Sequence, residues 1–570
     1  MRTQLLPFFV FFAILSSLPA QNLLWHHHFY SKEYSRNLAS TLDPEANFYT
    51  TGYIGGPNEV GTTLGQHLLN PEKGQFLYKL DSTGHPVWAK MILRGNVKVE
   101  ALESDSTGNL FVAGFFTGAV DFDPGPADST VSTLLSRMYF LQKLDTAGNL
   151  IWAKQFSTGS ASSSDNLTSL DPEGNVLVTG DFSGTVDFDP GSGVHTITAV
   201  TLGSQFFLKL DNDGNFLWVK QIGQVNFISA IHSDRESNWI MAGSVVNTQA
   251  DMDPGPDTFY QDPGRFILKL NAQGGFEWVQ SFAPDSHPKI AIDADGNIFM
   301  VGPFKDTVDF DPGPGEAVYT AFDDEQAFIM KWNSAGKFLW VRIDPRTQQG
   351  IVESRSVAAG PNGSVSVMGY YHGGINLIPD WGMYWLTSSS LRLGLVIQTL
   401  DAAGQWQSAM DVSNLNQIFN KYEYHLRYDA KGDLYVRTTC SGWTQFDLDT
   451  SNVQFIAAHL QSETDQLLFK VTVPYVPLVS VSAELPTQAG AVLFPNPAPA
   501  YAPLFIKLPD TARPGATLEI HCWDVSGVMV QYHKGKVTPG VVHLPGLPQG
   551  KYAVRVRSGD MVHSSWWVVE

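Results

Sequence analysis

An all-β chain built by repetition is what the sequence predicts, on three observations. A Trp recurs at positions 25, 88, 152, 218, 278, 340 and 406, spaced 60 to 66 residues apart. Ahead of six of these lies an apolar strand that ends in Asp or Asn and then Gly: FLYKLDSTGHPVW (76–88), FLQKLDTAGNLIW (140–152), FFLKLDNDGNFLW (206–218), FILKLNAQGGFEW (266–278), FIMKWNSAGKFLW (328–340) and LVIQTLDAAGQW (395–406). After each Trp comes a second hairpin, such as SDSTGNLFVAG (104–114), LDPEGNVLVTG (170–180) or IDADGNIFMVG (292–302). Two hairpins per period make a four-stranded antiparallel unit, and a row of such units predicts a β-propeller. The expectation is a seven-bladed propeller over residues 21–473, a linker at 474–489, and a small Ig-like β-sandwich over 490–570.

Taken in order, the first residues, MRTQLLPFFVFFAILSSLPAQ, read as a signal peptide over 1–20. Arg2 supplies the positive end, Leu5 to Leu15 an apolar run too short to span a bilayer, and Ala20 a small residue before a cut at Gln21. Within a repeat the strands are A (such as 101–104), B (110–114), C (76–80) and D (87–92). B is almost continuously apolar, which fits burial on both faces. C alternates, with Phe76, Tyr78 and Leu80 on one face and Leu77 and Lys79 on the other. The A–B and C–D turns are rich in Asp, Asn and Gly, which give the side-chain acceptors and positive φ of tight hairpins. The chain starts with a lone D-type strand, LLWHHHF (23–29), and the array ends with a lone C-type strand, LLFKV (467–471). Pairing those two completes the last blade and removes an open edge.

Charge and composition exclude several classes. A net charge of −20 repels phosphate backbones and anionic lipid, so nucleic acid is not an expected partner. Hydrophobic residues at 43% against charged residues at 16% exclude a disordered chain. No stretch after the leader is apolar enough to cross a membrane as a helix, so the mature protein is expected to be exported without a transmembrane segment. Cys440 and Cys522 fall in different predicted domains, and no disulfide framework is expected.

The K-L-D-x-x-G-x-x-x-W and D-x-x-G-N patterns, over roughly residues 22–475, resemble the bacterial SBBP β-propeller repeat and, more loosely, NHL-type propellers. That resemblance implies a fold and hardly any activity. Beyond residue 490 the punctuation changes to short alternating strands split by Gly and Pro, the pattern of a β-sandwich. Here Pro495-Asn496-Pro497, the turn Asp524-x-x-Gly527 and the hairpin Leu547-x-x-Gly550-x-Tyr552 resemble, in their order, the type A C-terminal sorting domain of the type IX secretion system. The chain ends Trp-Trp-Val-Val-Glu, where many members of that family end on a Lys-bearing strand. The resemblance implies the type IX machinery as a partner and delivery to the outer-membrane surface or the medium.

One acidic turn recurs between strands B and C: VDFDPGP (120–126), VDFDPGS (186–192), ADMDPGP (250–256) and VDFDPGP (308–314), with a worn FDLD at 446–449. In propellers with this strand order that connection lies on the rim that usually binds ligands. Asp121/Asp123, Asp187/Asp189, Asp251/Asp253 and Asp309/Asp311 are two residues apart, so an extended segment aims each pair one way before Pro-Gly forces the turn. Calcium is the candidate metal, since it takes hard oxygen ligands. It needs about six to eight of them, however, and two carboxylates fall short. The simpler reading needs no cofactor: each Asp caps backbone N–H groups and the residue between staples the blade. Lys79, Lys143, Lys209, Lys269, Lys331 and Lys470 form a column in strand C, expected to pair locally near a blade edge and to discourage stray strand addition. The Trp column is expected to pack between blades. His26-His27-His28 sits in a strand whose alternation separates neighbours, so no metal site is expected there.

No HExxH, GxSxG or P-loop pattern occurs. Sialidase Asp-boxes and quinoprotein repeats place their Gly one residue away from its place here. The sequence therefore favours an exported, non-catalytic propeller that binds an extracellular protein or glycan. The alternative is a hydrolase or lyase acting on extracellular polysaccharide, its residues gathered in the central funnel. His, Tyr, Arg and a carboxylate within hydrogen-bond reach there would favour it. A third reading is a surface component whose repeats contact other copies.

Overall fold

Asp, Asn and Gly fix the turns, and the turns fix the strands. The computed structural model describes residues 22–29, most of 39–472 and the strands between 492 and 569; residues 1–20 and 474–489, where a signal peptide and a linker are expected, lie outside the described residues. In the A–B turns an Asp oxygen accepts the N–H groups two and four residues on: Asp171 takes Glu173 N at 3.1 Å and Asn175 N at 2.8 Å. Asn175 returns its Nδ2 to the other carboxylate oxygen at 2.9 Å. The C–D turns repeat this with Asp211 or with Asn271, because either side chain offers an acceptor oxygen. The chain reverses through a left-handed residue, Gly174 at φ 80°, and less comfortably through Ala46 at φ 64°.

Strands then pair in the order A-B-C-D. Leu167–Leu170, Val176–Phe182, Ser204–Leu210 and Phe216–Ile222 form one four-stranded antiparallel sheet. Three more follow it, beginning with Val225–Ser233, Lys289–Ile292 and Ile351–Ala359. Before it lies a seven-stranded sheet, because Pro86–Ser104 runs from the D position of one unit into the A position of the next. Asn22–Phe29 pairs antiparallel with Asp465–Thr472, which continues to Asp433–Cys440 and Tyr424–Tyr428. Trp25 sits opposite Lys470 there, as Trp218 sits opposite Lys209. The fold is all-β, with one short 3-10 turn, Pro361–Gly363, as the helical element among the described residues. Its repeated four-stranded antiparallel sheets are of the kind that form propeller blades.

The core lies between successive sheets. B strands such as Val176–Phe182 and Trp239–Val245 are buried throughout. The Trp column packs between units, as expected. Trp152 meets Phe111 edge-on at 5.9 Å, and a Cβ on Gly214, in the next unit's C–D turn, would lie 3.2 Å from its indole. Trp152 Nε1 donates to Asn212 O at 3.3 Å. Trp218 donates likewise to Ala272 O (3.3 Å), Trp340 to Ala402 O (3.1 Å) and Trp25 to Ser82 O (3.2 Å). The A strands touch one another in chain order, and the last, Tyr424–Tyr428, touches the first, Ser40–Leu42.

The C-terminal strands make two sheets, Val492–Phe494 with Leu504–Lys507 and Val541–Leu544, and Met529–Lys536 with Thr517–Asp524, Gly550–Ser558 and Met561–Val569. Of the sorting motif, Asp524 lies across from Tyr552 in neighbouring strands, and Gly550 opens the strand that carries Tyr552. Pro495, Asn496, Pro497, Gly527 and Leu547 lie outside the described residues.

Candidate functional site

The lysine column is not an edge guard. Strand C has strand D outside it, and Lys143, Lys209, Lys269, Lys331 and Lys470 are buried. Each column lysine reaches the Asp of its own unit's A–B turn: Lys209 to Asp171 at 2.8 Å, Lys269 to Asp234 at 2.8 Å, Lys470 to Asp429 at 3.0 Å, Lys331 to Asp293 at 3.3 Å, and more loosely Lys143 to Asp105 at 3.6 Å and Lys79 to Asp43 at 3.9 Å. Most also donate to a carbonyl of the following unit, Lys209 to Ala272 O at 3.2 Å and Lys143 to Asn212 O at 3.1 Å. Lys143 with Trp152 and Lys209 with Trp218 thus share one acceptor carbonyl, while Lys331 and Trp340 reach two carbonyls of the next unit, Gly363 O and Ala402 O, and all latch unit to unit. These groups are committed to structure, not to a ligand. The edge expectation fails because a charged side chain marks an edge only where no further strand follows.

The A strands enclose a channel of about 1140 Å³. Small side chains such as Ala39, Ala101, Ala230 and Ala358 line much of it, together with His232, Lys289, Arg355, His425, Arg427 and Glu103. Arg427 Nη2 donates to Glu103 Oε1 at 2.8 Å, joining strands 324 residues apart. Half-buried His232 is pushed down to about 4 by its confinement, to which Arg427 adds, while Glu103 and the Ile290 backbone pull the other way. His425 opens into the lumen. Confinement, then the charges of Arg437, Arg427 and Lys289, hold it well below the ordinary imidazole range. Tyr428 turns its hydroxyl into the wall, 2.6 Å from Ser366 Oγ. The channel therefore brings His, Arg and a carboxylate together without that Tyr, and His232 is a weak base.

The acidic turns sit on two-stranded arms between B and C, such as Thr185–Asp187 with Thr196–Thr198, and Thr307–Asp309 with Val318–Thr320. In each of the four Asp-Pro-Gly copies the first Asp accepts two backbone N–H groups through Oδ1; Asp447 and Asp449 of the worn copy lie outside the described residues. Asp187 takes Asp189 N (3.1 Å) and His195 N (2.7 Å), and Asp309 takes Asp311 N (3.1 Å) and Ala317 N (2.9 Å). Asp121 and Asp251 do the same toward Ser129 and Phe259. The second Asp caps the Gly N–H: Asp123 at 2.6 Å, and Asp189, Asp253 and Asp311 each at 2.7 Å. Asp121 Oδ2 also takes Arg94 Nη1 at 3.1 Å. Phe122, Phe188, Met252 and Phe310, between the carboxylates, are buried. Turn capping with a hydrophobic staple accounts for both Asp positions. Beside these turns the arms expose Leu134, Val194, Phe259, Tyr260, Val318 and Tyr319.

With this geometry in view, the comparisons add a coarse relationship. No protein-family profile matches the chain. An uncharacterized WD repeat-containing protein, L264, of Acanthamoeba polyphaga mimivirus is 24% identical over 287 residues, 44% of this chain; the match spans 20% of that protein's length. The similarity is to a repeat-built chain and agrees with the repeated four-stranded sheets. Among solved structures, a fungal alcohol oxidase of the AA5 family in complex with copper overlaps 96% of this chain and 100% of its own at a TM-score of 0.37 and 13% identity. A Bacteroides caccae protein of unknown function overlaps 62% of this chain and 91% of its own, at a TM-score of 0.28 and 9% identity. At those scores the overlaps fix neither fold nor activity.

Sequence reasoning missed the channel residues. His232, Arg427 and Glu103 belong to no motif, because they stand at one A-strand position where other units carry Ala, Ser or Thr, and Lys289 stands at a second position that varies from unit to unit. It expected the lysines to pair locally but did not name the A–B turn Asp as partner, for which a signal existed. One unit has Thr399 in place of Lys and Gly360 in place of Asp, so both partners are absent together. Hydroxyls fill the gap: Ser366 Oγ lies 2.6 Å from Thr399 Oγ1.

Proposed function

We propose that this chain is an exported, non-catalytic, seven-bladed β-propeller that binds an extracellular protein or glycan through its rim arms. The ring reading is supported by the cyclic contact of A strands and by Trp25, which repeats toward Ser82 the donation made between the other units. The interaction reading is carried by one observation. The repeated polar residues serve turns and latches, while large apolar side chains, Phe259, Tyr260, Val318 and Tyr319 among them, stay exposed on the rim arms. Residues 490–570 are read as an Ig-like sorting sandwich for type IX secretion, supported by the two sheets and the Asp524–Tyr552 pairing. Deleting 490–570 should leave the protein inside the cell envelope; undiminished export would refute that part. A glycan and protein array probed with the mature chain, with and without calcium, tests the binding reading. A hit lost in a Tyr260→Ser, Tyr319→Ser variant supports it, and a hit indifferent to the arms refutes it.

The channel's Glu103, Arg427 and His232 favour a second reading, a polysaccharide hydrolase or lyase working in the funnel. Formation of new reducing or unsaturated ends from extracellular polysaccharides, lost on Glu103→Gln, would establish it.

A further inference from the structure

The channel is chemically lopsided. Strands Val225–Ser233, Lys289–Ile292, Ile351–Ala359 and Tyr424–Tyr428 bring His232, Lys289, Arg355, His425 and Arg427 to it. The strands Ser40–Leu42 and Leu167–Leu170, by contrast, offer hydroxyl groups such as Ser40 and Ser169. Positive charge gathers most densely around His425. Arg437 is its direct partner across the strand pair, and Arg427 and Lys289 also act on its ring. Glu103 engages Arg427 through Nη2. Like charges held together in a confined space repel, and an anion placed among them relieves the repulsion. The same lining carries Asp43, Asp105, Asp171, Asp234, Asp293 and Asp429, but each of these acids is paired with a strand-C lysine, and Arg355 is paired with Glu353, so an anion is placed against Lys289 and the Arg427 guanidinium. A guanidinium and an ammonium beside an imidazole make a donor set for a carboxylate. The hydroxyl-bearing strands and small side chains suit a ligand rich in hydroxyl groups. The volume, about 1140 Å³, exceeds the range of about 300–1,000 Å³ usual for small-molecule pockets, which leaves room for more than one sugar ring.

We propose that the channel binds a carboxylate-bearing saccharide, with the carboxylate against Lys289, Arg427 and His425 and the sugar rings along the facing Ser and Ala side chains. The inference rests on the glycan arm of the proposed function and names the class of glycan and a second place where it is held. It is tested by calorimetric titration of the full mature chain with tetragalacturonate, with neutral maltotetraose and with inorganic phosphate. Saturable binding of the acidic tetramer is expected, with the neutral tetramer about tenfold weaker or worse, the value of one charge-assisted contact. Lys289→Gln should weaken the acidic tetramer about tenfold while leaving the melting temperature unchanged. The double variant Glu103→Gln, Arg427→Gln removes both members of that pair and should weaken it comparably. Equal affinity for both tetramers, binding of phosphate but of neither saccharide, an unaffected Lys289→Gln variant, or no binding at all would each overturn the inference. An array hit that depends on Tyr260 and Tyr319, found alongside an inert channel, would leave the rim reading standing and remove only this one.

Discussion

Replacing Lys209 by Met isolates the latch that recurs through the repeats. The Lys209–Asp171 contact is 2.8 Å long, with side chains 5% and 0% exposed, so neither charge is screened by water. Methionine keeps most of the volume and removes the charge. Asp171 would still accept from Glu173 N, Asn175 N and Asn175 Nδ2, but its charge would be buried without a cation. Breaking one side of a buried pair costs about 3–5 kcal/mol. The lost bond from Lys209 to Ala272 O adds about 1 kcal/mol. Asp171→Asn alone should cost a similar amount, because its amide Nδ2 would face the Lys209 ammonium and the Asn175 amide. Joining the two changes removes both charges, and Asn can cap the turn as Asn271 and Asn333 already do. The double variant should therefore lose only about 1–2 kcal/mol, a coupling of at least about 3 kcal/mol. Urea unfolding of the four proteins, followed by Trp fluorescence, measures it. Strictly additive losses, or a Lys209→Met protein within about 0.5 kcal/mol of the parent, would refute the latch.

Other consequences follow from the same structure. Burial raises the carboxyl of Asp344 to about 6, against the hydrogen bonds from Ser354 and Gln398. A raised acid binds its proton more tightly when folded, so its contribution is full below about pH 4 and is lost as pH rises through 6, about 3 kcal/mol in all. Asp344→Asn should then gain about 3 kcal/mol on the parent between pH 4 and 7 in urea titrations, and a pH-independent difference would contradict the assignment. Ala46→Gly, at φ 64° where other turns use Gly, should stabilise by up to about 1 kcal/mol; a loss would show that the left-handed backbone is not strained there. The melting temperature should be the same in EDTA and in millimolar calcium, because the repeated Asp pairs already cap backbone N–H groups. A rise of several degrees with calcium would instead make the arms metal sites.

The hairpins were legible because their cause is local. An Asp or Asn oxygen reaches N–H groups two and four residues ahead, a geometry the sequence alone determines, and Phe122 or Phe188 between two turn-capping acids reads as a staple without any knowledge of the fold. The lysines were misread for the opposite reason. Lys209 finds Asp171 in the A–B turn of its own unit and Ala272 in the C–D turn of the next, and its burial depends on strands added outside it. Unit order and strand order were open to inference from the period and from the two lone end strands.

What the sequence determined by itself was therefore the repeat, the turn chemistry and the all-β class, each set by residues within a few positions of one another. The tertiary structure alone decided which charges are buried and which A-strand residues line the channel. Glu103 and Arg427 meet across 324 residues because separate sheets converge on one channel, and convergence of distant strands is a property no single repeat contains.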